Sequence, residues 1–183
     1  MKEGSINLNL ARTAVIGCPG SGKTTLATQM ATILGRPVVH LDKILLKANW
    51  QLLPSEERRQ IVEDIVLQDQ WLIDGMWRSN LEQRFVRATT VVLLDFGTLR
   101  CLWRVVARSF KYRKKQRHDL AEGCFDNFDG EFLGYVVSFR KKVLPSVLQL
   151  AKRHPNVNLV VLKNNKQVQK FLQQIQQSTG KPN

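Results

Sequence analysis

The chain has 183 residues, 43% hydrophobic and 23% charged, an ordinary globular composition that excludes collagen-like, disordered and disulfide-scaffold classes and fits a single domain spanning 1–183. Its 28 Lys and Arg against 15 Asp and Glu leave a net charge of +13, a field that favours nucleotides, nucleic acid or acidic lipid without choosing among them. The three cysteines, Cys18, Cys101 and Cys124, are widely spaced and outside any zinc-ligand pattern, so we read them as free thiols. The apolar stretch after Lys2 and Glu3 is too short for a signal peptide or a membrane span, and the expectation is a cytoplasmic protein with no membrane partner.

In chain order, TAVIGC (13–18) reads as a first strand. The helical segment 22–34 follows, with Leu26, Met30, Ile33 and Leu34 on one face and a stop at Gly35 before Pro37. PVVHLD (37–42) reads as a second strand ending at Asp42, with His40 on its opposite side and structural in role. A helix over 54–69 opens with Pro54, Ser55, Glu56 and Glu57. WLIDG (71–75) and TTVVLLDF (89–96) are the third and fourth strands. The segment 97–112 is a major helix, and 127–152 is a helical region that Pro145 must kink or divide. VNLVVLK (157–163) is a fifth strand, and the Gln-rich tail over 165–177 is an amphipathic helix.

Most of these strands are continuous apolar runs, the pattern of strands buried on both faces. Alternation with helices implies right-handed crossovers, a parallel sheet between two helical layers, and ligands beyond the carboxyl ends of the strands. Gly17, Asp42, Asp74, Asp95 and Lys163 are expected at that edge.

The run Gly17-Cys18-Pro19-Gly20-Ser21-Gly22-Lys23-Thr24 satisfies GxxxxGK[ST], and it follows a strand and opens a helix. Glycines there let backbone N–H groups converge on phosphate oxygens, and the helix N-terminus adds its positive end. Lys23 is expected at the β- and γ-phosphates, the Thr24 hydroxyl on Mg²⁺, and Thr25 at the α-phosphate, of ATP or GTP.

A second carboxylate must orient the metal. Asp74 and Asp95 both end apolar strands, and Asp74 is preferred because Gly75 permits close approach and Arg78 follows; Asp95 equally suits a cap on the helix at 97. Asp42 faces the acceptor side, where it would take a proton from an alcohol acceptor or only position a phosphate acceptor. Between Arg100 and Arg117 stand eight basic residues (Arg100, Arg104, Arg108, Lys111, Arg113, Lys114, Lys115 and Arg117) and no acidic one. Arg104 and Arg108, four apart on one helix face, suit phosphoryl-transfer charge, and the basic 100–117 segment is also a candidate nucleic-acid surface. Trp50 and Trp77 flank the acceptor region, either to stack on a ring or to plug the core, whereas Trp71 and Trp103 read as packing residues.

The P-loop, DGMWR (74–78), LLDF and LWRVVAR together resemble the nucleoside monophosphate kinase branch of P-loop kinases, in which adenylate kinases show DGFPR and paired lid arginines. HLDKI, WLIDG, CLWRVVAR with KYRKKQRHDLAEGC, and EFLGYVVSFRKKVLP resemble more closely the bacterial topology modulation proteins, over roughly residues 13–172. The resemblance implies a P-loop NTPase fold with a five-stranded parallel sheet in order 2-3-1-4-5 and a helical lid segment over roughly 109–139. It implies Asp74 as the metal-orienting carboxylate, Arg78 at the acceptor, Arg104 and Arg108 as lid arginines and Arg140 as a further phosphate contact. Met76-Trp77 stands where adenylate kinases have Phe-Pro. The leading expectation is an ATP- and Mg²⁺-dependent phosphotransferase acting on a nucleoside monophosphate or other small acceptor. The alternative is an ATP-binding regulatory or DNA-associated protein with little transfer activity.

Overall fold

The computed structural model describes residues 8–112, 116–125 and 129–180. β1 (Arg12–Gly17) leads through the glycine-rich turn into α1 (Lys23–Leu34), which Gly35 ends in the left-handed conformation with φ of 66°. β2 (Val39–His40) and α2 (Leu41–Ile44) follow, then an antiparallel ribbon of β3 (Leu46–Lys47) and β4 (Gln51–Leu52). Next come α3 (Ser55–Val66), β5 (Trp71–Asp74), α4 (Leu81–Arg87), β6 (Thr90–Leu94) and α5 (Thr98–Lys111). The chain closes with α6 (Gly130–Lys142), α7 (Leu144–Arg153), β7 (Asn158–Leu162) and α8 (Asn165–Thr179).

The main sheet is wholly parallel, in the order β2-β5-β1-β6-β7. Counting that sheet's strands alone, this is 2-3-1-4-5, as expected; the extra numbers come from the ribbon. After β1 the chain crosses to the far edge, returns beside β1 as β5, and then passes to its other flank as β6. A crevice therefore opens at the carboxyl end of β1, where Gly17 is in register with Leu94 and Val15 with Asp74.

The core follows from the continuous apolar runs. Ala14, Val15, Ile16, Leu72, Ile73, Val91, Val92 and Leu93 have no exposed surface, so helices cover both faces of the central strands. Each buried Val, Ile or Leu contributes roughly 1.5–3 kcal/mol. α1 packs on α8, while α5, α6, α7, α4 and α3 form a connected series of neighbours. The 127–152 region divides at Val143, and Pro145 falls in the first turn of α7, where its missing N–H has no helical partner to lose. In α8, Phe171, Leu172 and Ile175 are buried, the face expected of the Gln-rich tail.

Three expectations are corrected. β2 is two residues long, and the chain turns into α2 at Leu41, so Asp42 lies in the first turn of a helix rather than at a strand end. Strand alternation therefore does not separate His40 from the site, and its Nδ1 lies 3.0 Å from Asp74 Oδ2. Trp103 is not a packing residue: it is 71% exposed, on one stripe of α5 with Leu99 and Phe110. The same helix buries Cys101, Val105 and Ser109 instead. Trp71, by contrast, is buried as expected. The ribbon, α2 and α4 have no counterpart among the expected elements, being too short for hydrophobic period to register. Arg113, Lys114 and Lys115 of the basic run, and parts of the 109–139 segment, lie outside the described residues.

Candidate functional site

Gly22 caps α1 in a left-handed conformation, and the first turn holds no capping side chain and no acidic residue. Its N–H groups are therefore open to an anion. A Cβ at Gly22 would stand 3.1 Å from Arg104 Nη1, so the glycine lets a guanidinium approach the loop backbone. Arg104 donates to Ser21 O at 3.4 Å. Pro19 is half-buried and Ser21 fully buried in the same turn.

Over this loop lies a cavity of about 390 Å³. Gly20, Gly22, Lys23, Thr24 and Thr25 form one wall, and Arg104, Ala107, Arg108 and Lys111 of α5 form another. Tyr112, Arg117, His118 and Asp119 complete it. A second cavity, about 320 Å³, adjoins it and shares Gly22, Thr25 and Arg104; Leu26, Leu94, Phe96 and Val168 make it more apolar, with Gln29, Asn165 and Gln169 as amide partners. The pair suits a polyanion joined to a flat ring.

Carboxylates gather at the other side of Thr24. Its hydroxyl lies 2.7 Å from Asp74 Oδ2 and 3.2 Å from Asp119 Oδ2. Asp74 is buried, and its Oδ1 has no hydrogen-bond partner among the described residues. A buried, unpartnered carboxylate oxygen beside a threonine hydroxyl fits a hard cation, so Thr24 and Asp74 suit Mg²⁺, which would supply charge neutralisation at transferring phosphate oxygens. Asp119 is salt-bridged to Arg117, whose Nε donates to its Oδ1 at 3.0 Å. Burial opposes ionisation of Asp119 most strongly, but the hydrogen bonds and charge of Arg117 together hold its carboxyl below the usual range.

Asp42 accepts a hydrogen bond from Trp77 Nε1 at 2.6 Å. Burial pushes its carboxyl up from 3.8, while Lys23 and the Trp77 bond pull the other way. Its folded value thus exceeds the unfolded one, and stability falls as pH rises through that interval, then stays reduced. Asp42→Asn is accordingly expected to raise the melting temperature at pH 7 and to leave it unchanged below the unfolded value of 3.8, as thermal melts at the two pH values would show.

The turn bearing Arg78 is built on Arg84, which sequence reasoning does not single out. The Arg84 side chain is fully buried and donates to Gly75 O at 2.8 Å and Trp77 O at 2.7 Å. Burial pushes it down to about 10, against the favourable charges of Asp74 and Asp42. Arg78 itself is exposed at that turn. Trp50 is 43% exposed, and its Nε1 donates to Phe125 O at 3.0 Å.

The expected residues divide into two groups. Lys23, Thr24, Thr25, Arg104 and Arg108 meet around one cavity, with Asp74 bonded to Thr24. Arg140 does not line that cavity; its guanidinium grips Asp95 at 2.9 and 3.2 Å, tying α6 to the end of β6. Asp95 is thereby engaged, and α5 has Gly97 as its N-cap, with no side-chain cap. Asp119 escapes a reading of the sequence, its only signal being that it is the first acidic residue after the basic run.

The sheet order, the glycine-rich turn opening α1 and the helices around them define a P-loop kinase-like fold. The chain is similar in structure to a gluconokinase from Sinorhizobium meliloti 1021, with a TM-score of 0.54 and 13% identity, covering 93% of this chain and 92% of that one. It is also similar to a protein from Chloroflexus aurantiacus j-10-fl described as "a putative kinase", with a TM-score of 0.50 and 14% identity, covering 92% and 98%. No protein-family model matches the sequence, and no curated protein matches it. No helix among the described residues is long and apolar enough to cross a membrane.

Proposed function

We propose that this chain is an ATP- and Mg²⁺-dependent phosphotransferase that passes the γ-phosphoryl group to a small acceptor, a nucleoside monophosphate or a small hydroxyl compound. The observation that carries this reading is the one cavity in which Arg104 and Arg108 of α5 line the wall beside Lys23 and the open N-terminus of α1, with Asp74 bonded to Thr24. Little covalent chemistry is asked of a protein in phosphoryl transfer; fixed positive charge and positioning do most of the work. Loop amides and Lys23 would hold the β- and γ-phosphates, and Arg104 and Arg108 would meet charge spreading onto the equatorial oxygens. The adjoining apolar cavity would take the base. Asp42, close enough to Lys23 to feel its charge and bonded to Trp77, would accept the proton of a hydroxyl acceptor, and Arg78 would meet an anionic one. The gluconokinase similarity adds weight to a hydroxyl acceptor, and the DGMWR and LWRVVAR blocks to an adenylate-kinase-like enzyme near the topology modulation proteins.

The test is a screen of nucleoside monophosphates, sugars, polyols and small acids with Mg-ATP, with Lys23→Ala as the blank. Transfer to one acceptor class, lost in Lys23→Ala, is the expected result. ATP binding with no Lys23-dependent transfer to any acceptor would overturn the kinase reading in favour of a regulatory protein. DNA affinity should then fall by orders of magnitude between about 50 and 200 mM salt, as counterion release requires.

A further inference from the structure

We propose that Asp119 is a second carboxylate of the divalent-cation site, carried to Thr24 beside Asp74 by the 116–125 segment, so that bound cation and docked segment hold one another in place. This rests on the phosphotransferase reading for the nucleotide but on separate atoms for the cation.

The Thr24 hydroxyl is within hydrogen-bonding distance of oxygens from both Asp74 and Asp119, yet a hydroxyl carries one proton and donates to only one of them. Two buried carboxylates thus converge on Thr24; Asp74 Oδ2 also faces His40 Nδ1 and Asp119 Oδ2 also accepts from Arg117, which leaves Asp74 Oδ1 beside them as the carboxylate oxygen with no partner among the described residues. Arg117 compensates the charge of Asp119, and a hard cation at the unpartnered Asp74 Oδ1 would compensate the other carboxylate. Mg²⁺ takes one or two carboxylates and completes its shell with phosphate oxygens and water, which matches this donor set. Arg117 holds both oxygens of Asp119 and fixes the direction in which the carboxylate faces Thr24.

The 116–125 segment is docked by contacts independent of any cation. Ala121 N donates to Asp42 O and Asn49 N to Gly123 O, each at 3.3 Å. Leu120, Ala121 and Cys124 pack with Leu46 into a small buried cluster against Trp77. Gly123 has a φ of 76°, and a Cβ there would stand 2.9 Å from Ala48 Cβ, so the docking tolerates no side chain at that point. Asp119 therefore reaches Thr24 only while the segment lies against the ribbon and Asp42. Cation affinity should then report docking as well as charge.

The experiment titrates Mn²⁺ against the full chain by electron paramagnetic resonance, with and without ATP, and measures ATP affinity in EDTA. Asp119→Asn is expected to weaken Mn²⁺ about tenfold, a loss typical of cation-site partners, while ATP affinity in EDTA stays the same or tightens. Gly123→Ala, which keeps both carboxylates, should weaken Mn²⁺ in the same direction. Unchanged Mn²⁺ affinity in Asp119→Asn overturns the proposal, as does a parallel loss of ATP affinity in EDTA, which would place Asp119 on the phosphates through Arg117. Failure of the wild-type chain to bind ATP would overturn the phosphotransferase reading alone. The Mn²⁺ titration without nucleotide then decides the cation site: binding lost in Asp119→Asn supports it, and equal or absent binding rejects it.

Discussion

Arg84→Ala is expected to destabilise the protein by about 3 kcal/mol, and by more than any other single change at the turn after β5. Truncation removes the side-chain donor of the buried Gly75 carbonyl, at roughly 1–3 kcal/mol, takes one from the part-buried Trp77 carbonyl, and opens a cavity where the fully buried side chain stood. Relief from burying a charge offsets part of that loss, since burial already holds Arg84 down to about 10. For a chain of this size the melting temperature should drop by roughly 6–12 °C. Arg84→Lys should fall between, because one ammonium cannot reproduce the fork that spans two carbonyls. Calorimetry on the three proteins is the check, and an alanine variant melting within about 2 °C of wild type, a loss of no more than about 1 kcal/mol for a chain of this size, would refute the assignment. The same turn carries Arg78 and follows Asp74, so transfer activity should fall even at temperatures where the variant stays folded.

Gly20→Ala is expected to abolish ATP binding and to lower stability by about 2 kcal/mol or more. Gly20 has a φ of 77°, and a Cβ built there would lie 2.3 Å from the backbone carbonyl oxygen of Cys101. The obstacle is α5 backbone, which cannot rotate aside as a side chain can. Either the phosphate-binding loop or α5 must move, and α5 carries Arg104 and Arg108. A left-handed non-glycine residue costs on the order of 1–3 kcal/mol before the clash is counted. Gly130→Ala is the control, since a Cβ added at that position would meet nothing within 4 Å. Isothermal titration of ATP against both variants checks this, and ATP binding retained in Gly20→Ala would show that the loop does not depend on its seat against α5.

These two positions differ in how legible they are in the sequence. Gly20 belongs to a contiguous motif whose glycines have a stated purpose, so its importance can be read there, although its contact with Cys101 cannot. Arg84 sits in LEQRFVR between Gln83 and Phe85, and although it shares a helix face with Leu81 and Phe85, a cation in so short a segment reads as a solvent-facing residue. His40 departs from expectation because strand alternation does not extend past the point at which the chain becomes helix. Trp103 departs for a related reason: an apolar residue in an amphipathic helix reads as core until the packing shows which stripe faces inward. Arg140, expected on phosphate, is bound instead to Asp95, a pairing between residues 45 positions apart.

What could be read directly from residue order is what short-range physics dictates. Continuous apolar runs specify strands buried on both faces, alternation with helices specifies a parallel sheet, and glycines ahead of a lysine and threonine specify backbone amides turned towards phosphate. Each of these rests on neighbours in the chain. The arrangement around Thr24 rests on none of them: its hydroxyl meets Asp74 from 50 residues away and Asp119 from 95. Which carboxylate faces the hydroxyl, which arginine is buried beneath the turn and which tryptophan is left in water depend on how the elements pack, because burial and pairing are properties of space rather than of spacing.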